Sequence, residues 1–253
     1  MTEAARAYEK RTGIRINVIG GGATLGIRAT VSGDTDMGGT CRPHLPDRFN
    51  EEKGAYLTHV AWDALVFITH HSNPVNNITL KQAKDILLGK ITNWRELGGP
   101  DKRIILVLRA QNPDEGERYS GVGYMLRLML FNGSDIDFSK NAIYVRDSEK
   151  VEEVVETTRY TFAVTGVSSA RKRGLKILSL DGIEPTKENI ASGRYPLFRP
   201  LFIVTKGMPA GKVKDFIEWI LSKEGQKIIS DEGTVNLEEG RGLKGRFKFM
   251  DLR

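Results

Sequence analysis

Apolar Ile14, Ile16 and Val18 alternate with polar Arg15 and Asn17, the period-2 pattern of a strand. The run Gly20-Gly21-Gly22 then breaks regular structure. From Thr24 the spacing of Leu25, Ile27 and Val31 predicts a short helix that stops at Ser32-Gly33. A second short apolar step, Asp36-Met37-Gly38, ends in Gly39-Thr40-Cys41-Arg42-Pro43. A strand thus feeds a glycine loop, the loop feeds a helix N-terminus, and a second strand feeds a polar loop. Loops of this kind expose backbone N–H groups, and a helix start adds positive partial charge, so together they suit an anion. The same pattern also serves as an ordinary strand-to-helix turn, since it is neither a Walker loop nor a full G-x-G-x-x-G fingerprint.

The remaining pattern alternates strands and helices nearly throughout, which argues α/β layering. The start, M-T-E-A-A-R-A-Y-E-K-R-T-G, reads as a helix with Thr2 as candidate N-cap, Glu3 in the first turn and Gly13 as stop. Tyr56 to His70 includes A-W-D-A-L-V-F-I-T-H, a continuous apolar run of strand length that suits burial on both faces. Thr79 caps a helix whose apolar face is Leu80, Ala83, Ile86 and Leu87. Ile104 to Leu108 is a strand that delivers Arg109 at its C-terminal end. Ala110 to Tyr119 is a loop, and Ser120-Gly121 precedes the next helix. Glu149–Thr157 reads as a helix, Tyr160–Val164, Lys176–Leu180 and Leu201–Val204 as strands, and Val213–Leu221 and Gly225–Ser230 as helices. The tail is charged and glycine-punctuated, with an alternating patch at Phe247-Lys248-Phe249-Met250. The long apolar strands around Leu65 and Ile203 are candidates for two crossings of a hinge between lobes, with a ligand cleft between.

Composition narrows the function classes. The 253 residues are 40% hydrophobic and 28% charged, an ordinary globular balance sufficient for one large domain or two smaller ones. One cysteine, Cys41, excludes an intrachain disulfide. The net charge of +6 suits an anionic ligand, an acidic membrane surface or nucleic acid. The basic residues are scattered, however, with no stripe of interleaved aromatics for nucleic acid. No apolar run approaches the roughly 20 residues of a membrane helix, and the start has no signal-peptide core. Cys41 has no His or Asp at a spacing that builds a nucleophilic triad. His70 and His71, as neighbours on a strand, point to opposite faces, so with His44 and His59 elsewhere no zinc site is expected. Trp62, Trp94 and Trp219 read as packing residues, and Arg171-Lys172-Arg173 as a solvated turn. No cofactor or catalytic constellation is expected.

Three longer stretches carry a likeness. I-T-L-K-Q-A-K-D-I-L-L-G-K-I-T-N-W-R-E-L-G-G-P-D (Ile78–Asp101) closely resembles the most distinctive stretch of the phosphate-binding proteins of ABC transporters. I-E-P-T-K-E-N-I-A-S-G-R-Y-P-L-F-R-P-L-F-I-V-T-K-G (Ile183–Gly207) resembles their second signature, and F-I-E-W-I-L-S-K-E-G-Q-K-I-I (Phe216–Ile229) their C-terminal helix pair. The likeness runs from about residue 1 to about residue 237. It implies a two-lobed type II periplasmic-binding-protein fold of α/β class. Each lobe is then a mixed sheet flanked by helices, with two crossover strands as hinge. Lobe 1 would comprise 1–71 and 196–253, and lobe 2 would comprise 72–195.

The resemblance also implies site residues: Gly22, Ala23 and Thr24 in the glycine loop, Thr40 and Cys41 after the second strand, Arg109, and Ser120 with Gly121. Ala23 stands where the family has a serine. Thr40-Cys41-Arg42 matches its Ser-Ser-Arg or Ser-Asp position after the second strand. Nine residues, Q-N-P-D-E-G-E-R-Y, separate Arg109-Ala110 from Ser120, where the family follows its arginine almost at once with Gly-Ser-Gly-Thr; Val122 replaces that threonine. The family's Ile-Gly-Tyr is replaced by Val164-Thr165-Gly166. Arg109 is then either the anion's bidentate partner or a strand-end surface residue, and Thr40 and Ser120 are ligand hydroxyls, loop and cap residues, or both.

The function implied is a solute-binding protein that closes on phosphate or a related tetrahedral oxyanion, for an ABC transporter or a sensor. The alternative is a binding-protein-like scaffold or partner-binding protein that has lost the anion; Ala23 and Val122 favour it. Telling phosphate from sulfate needs an acceptor for the phosphate proton, and Asp114 or Glu115 are the candidates. By resemblance the protein is periplasmic or otherwise extracytoplasmic, with a transporter permease as partner and no nucleic acid. Family members begin with a strand ahead of this chain's first helix. The tail at Gly245–Leu252 is the candidate to fill that strand's slot, in its own lobe or by exchange with a second molecule in a homodimer; the alternative is a frayed basic tail.

Overall fold

The computed structural model describes residues 1–109, 118–133 and 135–247. In chain order the first elements are α1 (Thr2–Thr12), α2 (Ala23–Ser32), β1 (Gly38–Thr40), β2 (Ala55–Thr69), β3 (Asn77–Ile78) and α3 (Leu80–Leu87). Then come β4 (Ile105–Arg109), α4 (Gly121–Phe131), β5 (Ile143–Val145), α5 (Ser148–Thr157), β6 (Thr161–Gly166) and α6 (Val167–Ala170). The last are β7 (Lys176–Ile177), β8 (Ser179–Leu180), α7 (Lys187–Ala191), β9 (Phe198–Lys206), α8 (Gly211–Leu221) and α9 (Lys223–Asp231). These form two compact units, one of Met1–Asp63 with Pro200–Arg253, the other Ala64–Arg199. β2 and β9 are the strands whose residues belong partly to each unit.

In the first unit β1 pairs antiparallel with β9, Gly39 opposite Ile203. The core gathers Ala4 and Tyr8 of α1, Val60 of β2, Ile203 of β9, and Phe216, Ile217, Trp219 and Ile220 of α8. Tyr8 meets the Phe216 ring edge-on at 5.1 Å, an arrangement the ring quadrupoles favour. Gln226 of α9 donates from Nε2 to the carbonyls of Val60 (3.1 Å) and Ile220 (2.9 Å). Its Oε1 accepts from the Leu237 amide at 2.8 Å.

In the second unit the sheet runs β2-β6-β4-β5, with β7 also on β2. β4 lies parallel to both β5 and β6, and β2 antiparallel to β6, so the sheet is mixed. Phe67 and Phe162 stack at 5.2 Å beneath the fully buried Trp94, whose Nε1 donates to Tyr160 O at 2.9 Å. α3 opens with a reciprocal capping box of Thr79 and Gln82, which satisfies two orphan donors at once.

Five local expectations are corrected. Residues 14–22 form no strand. Ile14 and Ile16 pack against the first unit's core while Val18 and Ile19 are exposed. Alternation sets which side chains turn inward, but a strand also needs a laddered neighbour. Thr2 is helical and Met1 takes the N-cap position, with no side-chain cap bond. β2 ends at Thr69, so His70 and His71 escape strand alternation and their rings lie 4.1 Å apart. The Arg171–Arg173 turn is not simply solvated: Arg173 reaches Glu152 at 3.0 Å, Glu156 at 3.3 Å and Glu149 at 3.5 Å. Of the expected tail strand, Gly245–Phe247 is not strand, and Phe247 is buried with its ring 6.0 Å from that of Trp62. Residues 248–253 lie outside the described residues.

Candidate functional site

The expected residues fall into two groups, one on each unit. On the first unit Gly22 takes the N-cap position of α2 with φ 82° and ψ 179°, a backbone that L side chains rarely adopt. Ala23 and Thr24 follow, both buried. No side chain caps α2 and its first turn carries no acidic residue, so nothing on the helix opposes a negative charge there. α2 lies directly against β1: a Cβ added at Gly26 would sit 2.4 Å from Gly39 O, and one at Gly38 2.0 Å from Gly26 O. Only glycine permits this approach, and it sets the glycine loop beside the loop that leaves β1.

That second loop is organised by Arg42. Its guanidinium and the Glu52 carboxylate are both fully buried and meet through two bonds, 2.7 and 2.9 Å. Arg42 Nη1 also donates to Pro43 O at 2.7 Å, and Nη2 to Thr24 Oγ1 at 3.2 Å. Glu52 accepts the Leu45 amide at 2.9 Å, with Arg28 Nε 3.5 Å away. Burial alone would raise the Glu52 pKa; the Arg42 bonds and charge, with the Leu45 amide and Arg28, outweigh it and hold the carboxyl below its usual range. Thr40 Oγ1 donates to Arg42 O (3.0 Å) and accepts from Arg42 N (3.2 Å), closing a local turn. Cys41 between them is half-buried.

On the second unit Arg109 closes β4, buried, opposite Val145 of β5. Ser120 caps α4, accepting the Gly123 amide at 2.9 Å, and Gly121 opens the helix; both are buried. Asp147, which the sequence reading missed, caps α5 by accepting the Lys150 amide at 2.8 Å. That bond is the first cause that lowers its pKa; partial burial opposes it, and the charges of Arg146 and Arg109 add to it. Arg109 therefore has an ionised carboxylate within its field. Asp114 and Glu115 lie outside the described residues. Glu52 was also missed, because nine residues separate it from Arg42 and no motif links them. Among the described residues no His, Cys, Asp and Glu cluster suits a metal. Nor, among the described residues, is any helix long and apolar enough to cross a membrane.

Comparisons with known proteins bear on the family. A family model described as a PBP superfamily domain matches residues 1–224. The phosphate-binding protein PstS of Borreliella burgdorferi is 33% identical over 192 residues, 74% of this chain and 68% of that protein. PstS of Bacillus subtilis is 30% identical over 243 residues, 93% of this chain and 75% of that protein. A crystal structure of a phosphate ABC transporter substrate-binding protein with bound phosphate, from Clostridium perfringens, is 28% identical, with a TM-score of 0.82 and 93% of each chain covered. The α/β units, their mixed sheet and these likenesses together settle the family: the chain belongs to the PBP superfamily, among its phosphate-binding proteins.

Proposed function

We propose that this chain is an extracytoplasmic solute-binding protein that captures phosphate and presents it to the permease of an ABC transporter. The observation that carries the reading is the likeness over 93% of both chains to a protein crystallised with phosphate bound. The local chemistry supports it. The first unit offers the uncapped start of α2 at Gly22–Thr24 and the turn at Thr40-Cys41. The second offers Arg109 and the Ser120–Gly121 helix start. N–H and O–H donors of this kind, and a guanidinium, are groups that bind a tetrahedral oxyanion without acting on it. Asp147, kept ionised, is the proposed acceptor of a hydrogen bond from the P–O–H that phosphate carries and sulfate lacks. Titration calorimetry of the purified chain with phosphate, sulfate, molybdate and tungstate tests the reading. Phosphate should give heat at micromolar concentration and sulfate little. Silence with every anion at millimolar concentration would overturn it in favour of a scaffold that kept the fold.

A further inference from the structure

Arg42 occupies the arginine of the Thr-Cys-Arg step, where an anion-binding protein would be expected to aim a cation at its ligand. The structure turns it the other way. Arg42 and Glu52 are both fully buried, and the guanidinium is spent on the Glu52 carboxylate, Pro43 O and Thr24 Oγ1. Glu52 in turn holds the Leu45 amide. One ion pair thereby ties three pieces of chain together: the start of α2, the loop after β1, and the segment at Asn50–Glu52. Its charges cancel locally, so it adds little net field to the anion loops.

We infer that the Arg42–Glu52 pair is a positioning clamp for the first unit's anion loops, and that Arg42 is not itself a ligand to the anion. The inference rests on the phosphate reading for its effect on affinity, but the clamp is a property of the unliganded chain. Guanidinium only donates, so Thr24 Oγ1 is fixed as acceptor of the Arg42 bond, and the hydroxyl is oriented before any ligand arrives. The Thr40 hydroxyl is fixed in the same way by both backbone groups of Arg42. Loops held in the bound geometry spare the ligand the cost of ordering them.

The test compares Glu52→Gln with the double variant Arg42→Met, Glu52→Leu. Removing one partner strands a buried charge and can unfold the chain, whereas replacing both with apolar groups of similar size is often tolerated. The double variant should melt within a few degrees of wild type. Its phosphate dissociation constant by calorimetry should nevertheless rise about tenfold or more, the scale of a lost pre-organising contact. Amide exchange at residue 42, which bonds Thr40, and at Gly26, which bonds Gly22, should accelerate while β2 stays protected. A folded double variant with wild-type phosphate affinity and wild-type exchange at both amides overturns the clamp. If wild type itself gives no heat with phosphate, the phosphate reading fails, and the exchange measurement alone decides whether the clamp stands.

Discussion

Replacing Gly26 by alanine sets two effects of opposite sign against each other. Gly26 lies inside α2, where alanine normally gains about 1 kcal/mol over glycine through backbone entropy. At this position the new methyl would sit 2.4 Å from Gly39 O, 3.1 Å from Gly39 N and 3.3 Å from Gly39 C. Ordinary contact needs another ångström or so, about the difference between 2.4 Å and a normal carbon–oxygen separation. All three neighbours are backbone of β1, which is laddered to β9, so no flexible side chain can give way. Overpacking of this kind costs about 1–3 kcal/mol, and rigid partners place it toward the upper end. The clash therefore outweighs the propensity gain, for a net loss of about 1–2 kcal/mol. The relief movement separates α2 from β1 and draws Gly22–Thr24 away from Thr40–Arg42, so phosphate affinity should fall too. Urea unfolding followed by circular dichroism measures the first effect and calorimetry the second. Gly20→Ala is the control, since nothing lies within 4 Å of its added Cβ. A Gly26→Ala protein as stable as wild type or more so would refute the reasoning, because propensity would then have won.

Three further outcomes are expected. Arg109→Ala should cost phosphate binding about 2–5 kcal/mol, the range for truncating one side of a buried charged contact, with Arg109→Lys restoring only part because a point charge lacks the planar fork; wild-type affinity by calorimetry would remove Arg109 from the site. Ser120→Ala should lower stability by about 1 kcal/mol through loss of the Gly123 bond, whereas Ser120→Asp should keep the cap and the melting temperature yet weaken phosphate binding by placing a like charge at the helix start. His59 is pushed down to about 4 by burial first and the Lys244 charge second, against its bond to Ala61 O. The unfolded chain therefore takes up a proton that the folded one refuses; stability is full above about pH 6.5 and falls by about 1.4 kcal/mol per unit towards pH 4, and a urea series in which His59→Gln has the same acid slope as wild type would contradict this.

The sequence was most legible where one chemical pattern serves one purpose. Thr79 as an N-cap, the apolar run of β2, and the strand expected at Ile104–Leu108 and found at Ile105–Arg109 were legible because capping, burial and periodicity each leave a local signature. Ile14 to Val18 misled because alternation reports facing, and the missing ladder is a matter of neighbours. His70 and His71 misled by one residue of strand end. Of the candidate site, Gly22, Thr24, Thr40, Arg109 and Ser120 could be proposed from glycine runs, loop hydroxyls and the family likeness. Glu52 and Asp147 were not, since a carboxylate in a loop looks the same whether it faces water or a buried arginine.

The division of the chain has a consequence for the order in which the molecule assembles. The first unit is built from Met1–Asp63 and Pro200–Arg253, so its β1–β9 ladder and the seat of α8 cannot exist until the last fifth of the chain has been made. The second unit is continuous, Ala64–Arg199, and can close on itself as it emerges from the ribosome. Once closed, it converts a long excluded loop into a rigid bridge, and the entropy of bringing the two distant segments together no longer falls on the first unit alone. Nascent chains arrested before Pro200 should therefore protect β4 and β6 amides from exchange while leaving α1 and α2 open. The glycine loop and Arg42, translated before the second unit, would find their places after it.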